Sequence, residues 1–124
     1  MTDPRLSRIE RGKQAEALVE TYLEARGFSL VARNLRLGAL ELDLVARQGP
    51  LVVVVEVRSR AEASWTTALG SLDAKKRQRI RRAGERLWNR RYRNDLSVSR
   101  LRFDAAAVYF EPSGPRVEYV PAAF

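Results

Sequence analysis

Residues 40–60 read LELDLVARQGPLVVVVEVRSR: two apolar runs, Leu42 to Ala46 and Leu51 to Val57, joined by the polar connection Arg47-Gln48-Gly49-Pro50. Two such runs around a Gly-Pro break read as a β-hairpin. The second run is too rich in valine for a helix and too apolar for a solvated face, which places it at the centre of a sheet. Carboxylates break the apolar pattern: Glu56 interrupts the valines, and Glu41 and Asp43 stand two residues apart on the first strand. Because side chains alternate across a strand, Glu41 and Asp43 share one face, and Glu56 and Arg58 share one face of the neighbouring strand. Where the two faces coincide, acids from adjacent strands converge.

Two readings of that convergence stand side by side. Carboxylates held close repel one another and are costly to bury unless a cation neutralises them. A hard divalent ion such as Mg²⁺ accepts one or two protein carboxylates, keeps several waters and takes its remaining ligands from a phosphate. Arg58 adds a planar charged fork suited to phosphodiester oxygens. The first reading is therefore a metal-dependent phosphodiester site. The second is an internal ion pair, Glu56 with Arg58, with Glu41 and Asp43 near solvent. Spacing alone does not choose between them.

Composition narrows the chemistry. The 124 residues, 45% of them hydrophobic, suffice for one globular domain spanning 1–124. With no cysteine and no histidine, disulfides, thiolate metal sites, imidazole zinc sites and His-dependent serine triads are excluded. Acid-base work falls to carboxylates, lysine, tyrosine or metal-bound water. Lys and Arg number 23 against 15 Asp and Glu, a formal charge of +8 and an isoelectric point near 10.7. That balance favours a polyanionic partner, nucleic acid foremost, with ribosome association or a membrane surface as lesser options. No apolar run approaches the ~20 residues that span a bilayer, and the N-terminus lacks an apolar signal core. The expectation is a cytoplasmic protein with no membrane partner.

Outward from the hairpin, the spacing of Ile9, Ala15, Leu18, Val19, Tyr22 and Leu23 predicts an amphipathic helix from Leu6 to the Arg26-Gly27 stop. A short strand follows from Phe28, and Gly38 turns the chain into the hairpin. Residues 59–70 show little periodicity and read as a loop, in which Trp65 either caps the core or stacks on a base. Ser71 to Arg93 predicts a second helix, apolar at Leu72, Ile80, Ala83, Leu87 and Trp88. Its other side carries Lys75, Lys76, Arg77, Arg79, Arg81, Arg82, Arg86, Arg90, Arg91 and Arg93, with Glu85 the main internal acid; Lys75, Lys76, Arg79, Arg82, Arg86 and Arg90 are the candidate nucleic-acid contacts. A helix of one charge sign repels itself, which makes sense along a phosphate backbone, although a merely solvated face is the alternative. Two closing strands, Leu101 to Phe110 and Arg116 to Val120, form a second hairpin. Within it, Asp104 either pairs with a nearby arginine or takes part in catalysis.

The order helix-strand-strand-strand-helix-strand-strand resembles the PD-(D/E)XK, or restriction-endonuclease-like, superfamily, with Asp43 at the first acid of its motif and Glu56-Val57-Arg58 at the E-X-K triplet. A closer resemblance, over nearly the whole chain, is to the YraN family, predicted endonucleases similar to Holliday-junction resolvases. Gly12-Lys-Gln-Ala-Glu16 resembles its G-x-x-G-E opening, and Glu41-Leu42-Asp43-Leu44-Val45-Ala46 its G-E-I-D-L-I segment. Val55-Glu56-Val57-Arg58-Ser59-Arg60 resembles V-E-V-K/R-x-R. Lys75, Arg102-Phe103-Asp104 and Ala122-Ala123-Phe124 match its helix-opening lysine, R-F-D strand and closing A-F.

The resemblance implies an α/β fold with a restriction-endonuclease-like core, a mixed central sheet flanked by helices. It further implies that Asp43 and Glu56, with the Val57 carbonyl, hold Mg²⁺ or Mn²⁺. Glu16 would be a further ligand or lie just behind the metal, Glu41 a supporting acid, and Arg58 would stand where the motif has lysine. The implied function is DNA phosphodiester hydrolysis, on branched or repair intermediates, by a homodimer like the resolvases. Two alternatives are carried beside it: a nucleic-acid-binding module with little catalysis, and a basic partner of a ribonucleoprotein assembly.

Overall fold

The computed structural model describes residues 7–61 and 73–124; Trp65 and Leu72 lie outside them. Helix α1, Arg8–Glu24, begins where the Ser7 hydroxyl accepts the Glu10 backbone N–H at 3.1 Å, satisfying a donor that the first helical turn leaves free. It buries Ala15, Val19 and Leu23 at four-residue spacing. Strands β1, Ser29–Leu37, β2, Leu40–Gln48, and β3, Leu51–Ala61, follow as an antiparallel meander. The turn between β2 and β3 is tighter than the polar stretch suggests: Arg47 and Gln48 remain in the strand, and Gly49 supplies the positive φ of +57°.

After helix α2, Ala74–Leu87, strand β4, Arg100–Glu111, returns parallel to β3, and β5, Gly114–Val120, pairs antiparallel to β4. The result is a mixed α/β fold with a five-stranded sheet in the order β1-β2-β3-β4-β5. No described helix is long and apolar enough to cross a membrane.

The valines of β3 have no wet face because they feed two cores. Val52 and Val54 pack with Leu42, Val45, Ile80, Ala83 and Leu87 under α2. Val53 and Val55 pack with Leu44, Ala46, Ala15, Val19 and Leu23 under α1. On the α2 side the helix backbone lies directly on the sheet: a Cβ placed on Gly84 would stand 2.5 Å from the Phe103 ring.

Two elements differ from the sequence-based expectation. Strand β3 continues to Ala61, through residues expected to be loop, because register pairs with β4 run unbroken from Leu51 with Arg100 to Ala61 with Phe110. A full set of ladder hydrogen bonds outweighs weak periodicity. The second helix, expected to reach Arg93, is α-helical only to Leu87 and then widens into a π turn, Trp88–Tyr92, closed by the Arg93 N–H to the Trp88 carbonyl at 2.7 Å. Continued α-helical spacing from Leu87 would bring Arg91 to the core. The extra residue of the π turn buries Tyr92 there instead.

Candidate functional site

The β2–β3 ladder ends at the pair Leu44 and Val55. One residue further, the Asp43 carboxylate takes the place of a ladder carbonyl and accepts the Val57 N–H at 2.9 Å. Strand alternation slips at this point. Leu42 belongs to the core under α2 and Leu44 to the core under α1, although two residues apart they would normally share a face. Asp43, at the slip, is thereby adjacent both to Glu56 of β3 and to Glu16 of α1.

Glu56 is only 5% exposed. Burial first, then the Asp43 charge and a hydrogen bond shared with Asp43, push its carboxyl up to about 7, against the opposing pull of Lys76 and Arg58. Two carboxylates this close retain a proton between them. Glu16 is shifted upward in the same way, by burial and by the charges of Asp43 and Glu41, while a hydrogen bond from Asn34 opposes the shift. Two cations meet one oxygen of Glu56: Lys76 Nζ lies 3.3 Å and Arg58 Nη2 3.7 Å from Oε1. Among the described residues the buried Arg58 Nε donor meets no hydrogen-bond partner. A cleft of about 340 Å³ opens over the group, lined by Glu41, Asp43, Glu56, Lys76 and Arg79 among others.

The structure thus gathers Asp43, Glu56 and Glu41 in one cleft, with Glu16 behind Asp43 and Arg58 beside Glu56. Glu41 stands at the rim, 3.7 Å from Arg36. The basic residues of α2 divide. Lys76 and Arg79 enter the cleft, Arg86 donates to the Leu37 carbonyl at 2.9 Å and ties α2 to the end of β1, and Lys75, Arg82 and Arg90 are exposed. Asn34 was not singled out from the sequence. Its φ of +47° in mid-strand and its bond to Glu16 make it part of the site, and asparagine's tolerance of that conformation is the one signal it offers. Asp104 belongs elsewhere: fully buried, it accepts both forks of Arg102 at 2.8 and 2.9 Å, the Tyr119 hydroxyl and the Ala122 N–H.

Among the described residues no three acids are drawn tightly enough to make a ready metal-ligand cluster; the acids come as a pair with two flanking members. All the donors are oxygens, which suits a hard cation that keeps several waters. The proton shared by the pair marks where such a cation would offset charge.

The sequence profile of the uncharacterised protein family UPF0102 matches residues 15–108. The chain belongs to this family. UPF0102 relatives include a protein of Sorangium cellulosum, 52% identical over 91% of this chain and 79% of its own length. A Pseudomonas aeruginosa relative is 38% identical over 100% of this chain and 98% of its own, and one from Dictyoglomus turgidum is 30% identical over 93% and 97%. The UPF0102 match spans Glu16, Asp43, Glu56 and all of α2, and it bears out the resemblance drawn from the motifs. One solved structure, Pyrococcus furiosus SfsA in complex with Ca²⁺, is similar at 17% identity and a TM-score of 0.40, over 90% of this chain and 62% of that one. A likeness that distant supports no reading of the site.

Proposed function

We propose that this UPF0102 protein binds nucleic acid, DNA by preference, and hydrolyses its phosphodiester bonds at the Asp43–Glu56 cleft with Mg²⁺ or Mn²⁺. The observation that carries the reading is the meeting of Asp43 and Glu56, from adjacent strands, in a cleft that Lys76 and Arg79 also enter. Acids that share a proton call for a cation, and neighbouring cations call for an anion.

Asp43, held by the Val57 N–H, and Glu56 would hold the ion, with the Val57 carbonyl and Glu16 as further oxygens in reach of the strand ends. The ion when bound supplies a polarised phosphate and a water of lowered pKa. Glu56 must first lose the proton it shares with Asp43, so occupancy rises as pH passes about 7. Arg58 stays charged at any working pH, so it orients or neutralises a phosphate oxygen and exchanges no proton. Lys75, Arg82 and Arg90, exposed on α2, extend the phosphate contacts and carry salt-dependent affinity, not sequence information.

A second reading, binding without cleavage, is favoured by one observation: two cations, Lys76 and Arg58, lie 3.3 and 3.7 Å from the same Glu56 oxygen, where a metal ion would compete with them. Cleavage of linear, flapped and four-way DNA with Mn²⁺ separates the two. The first reading expects products from the native protein and none from Glu56→Ala purified identically. Equal traces from both, with DNA binding intact, leave the second.

A further inference from the structure

The acidic cleft occupies only one flank of α2. On the opposite flank, between the helix and β4, a groove of about 470 Å³ is lined by Gly84, Trp88, Leu101, Phe103 and Arg100, with Glu85 as its acid. The lining is predominantly apolar, and its two aromatic rings are partly exposed. A second hollow, lined by Lys75, Arg77, Arg81 and Phe124, adjoins it: the Phe124 and Phe103 rings lie 5.5 Å apart, and the Arg81 guanidinium sits 6.0 Å over Phe103. Three aromatic side chains therefore follow one flank of the helix from Lys75 to Trp88, a length of ~20 Å at 1.5 Å per residue. Among the described residues Lys75, Arg77, Arg81 and Arg100 enter no ion pair, so this flank is cationic as well as aromatic.

We propose that this groove is a stacking site for unpaired nucleobases of a single-stranded segment. Flat π faces suit apolar walls edged with arginines, and a duplex hides those faces while a single strand offers them. Gly84 lets the helix backbone rest on the Phe103 ring, and the π turn begins at Trp88, whose ring meets Tyr92 at 6.4 Å. Both features fix the position of the rings, and π turns recur at functional positions. The groove would give a substrate with unpaired bases a foothold that a perfect duplex lacks. The inference rests on the nucleic-acid reading above.

The test uses a Trp65→Phe protein, in which Trp88 is the sole tryptophan. Oligothymidine is expected to quench Trp88 fluorescence and to bind about tenfold tighter than a duplex of equal length, the worth of one or two stacked bases. Trp88→Leu, and separately Arg81→Ala with Arg100→Ala, are expected to remove that preference while duplex affinity changes less than threefold. Binding of both forms with Trp88 unquenched overturns the groove and leaves the nucleic-acid reading standing. Binding of neither overturns both. Concentration-dependent dimerisation that shields Trp88, with no response to oligonucleotide, assigns the groove to a second copy of the chain and overturns the proposal.

Discussion

The Val57 backbone N–H donates to Asp43 Oδ2 at 2.9 Å, where the β2–β3 ladder has just ended at Leu44 and Val55. A backbone donor that would otherwise pair with the neighbouring strand holds a carboxylate instead, so Asp43 is fixed by the sheet itself and not by a flexible side-chain partner.

Asp43→Asn keeps an acceptor for that N–H but removes the charge facing Glu56. The Glu56 carboxyl, now near 7, is expected to titrate lower in the variant, moving toward 4.5. Carboxyl ¹³C chemical shifts followed against pH measure this directly. An unchanged midpoint would mean that burial alone sets the shift.

Glu56→Gln tests the linkage between that shift and folding. Because the folded value lies above the unfolded one, protonated Glu56 stabilises the fold below about pH 4.5, and the contribution is lost as pH rises through about 7. Glutamine does not ionise, so the variant's stability relative to the native protein is expected to climb between pH 5 and pH 8, by on the order of 2 kcal/mol. Urea unfolding at the two pH values gives the comparison. A constant difference contradicts the account.

Much of this was legible in the sequence, for physical reasons that can be named. The run Val52 to Val55 cannot tolerate a wet face, so a central strand follows, and the acids that interrupt it and its neighbour stand out against that background. The contact of Lys76 with Glu56 was not legible. Helix phase against the sheet is set by how Ile80, Ala83 and Leu87 pack, and the sequence alone leaves Lys75 and Lys76 equivalent. The slip at Asp43 and the π turn at Trp88 were likewise hidden, since each is a local departure from periodicity that tertiary packing imposes. Ser59 and Arg60 read as loop because the residues that make them strand, Val108 and Tyr109 of β4, lie far along the chain.

Asp104 is fully buried against Arg102, Tyr119 and the Ala122 N–H. Asp104→Ala is expected to cost about 3–5 kcal/mol, since it leaves the Arg102 charge without its partner, and a denaturant midpoint reads the loss. A cost below about 1 kcal/mol would show that Arg102 finds water instead.

Two glycines make a contrasting pair in helices. A methyl on Gly84 meets the Phe103 ring at 2.5 Å, whereas one on Gly12 meets nothing within 4 Å. Gly84→Ala is expected to destabilise by about 1–3 kcal/mol, and Gly12→Ala to stabilise by about 0.5–1 kcal/mol. Thermal melts of both variants should move in opposite directions.

The central claim is that Asp43 and Glu56 together hold a divalent ion. Titration calorimetry with Mn²⁺ is expected to show binding in the native protein, with proton release at pH 6.5 that fades by pH 8, and no binding in the Asp43→Asn, Glu56→Gln double variant with its fold intact. Equal heats from the two proteins, or no binding in either, would contradict the claim.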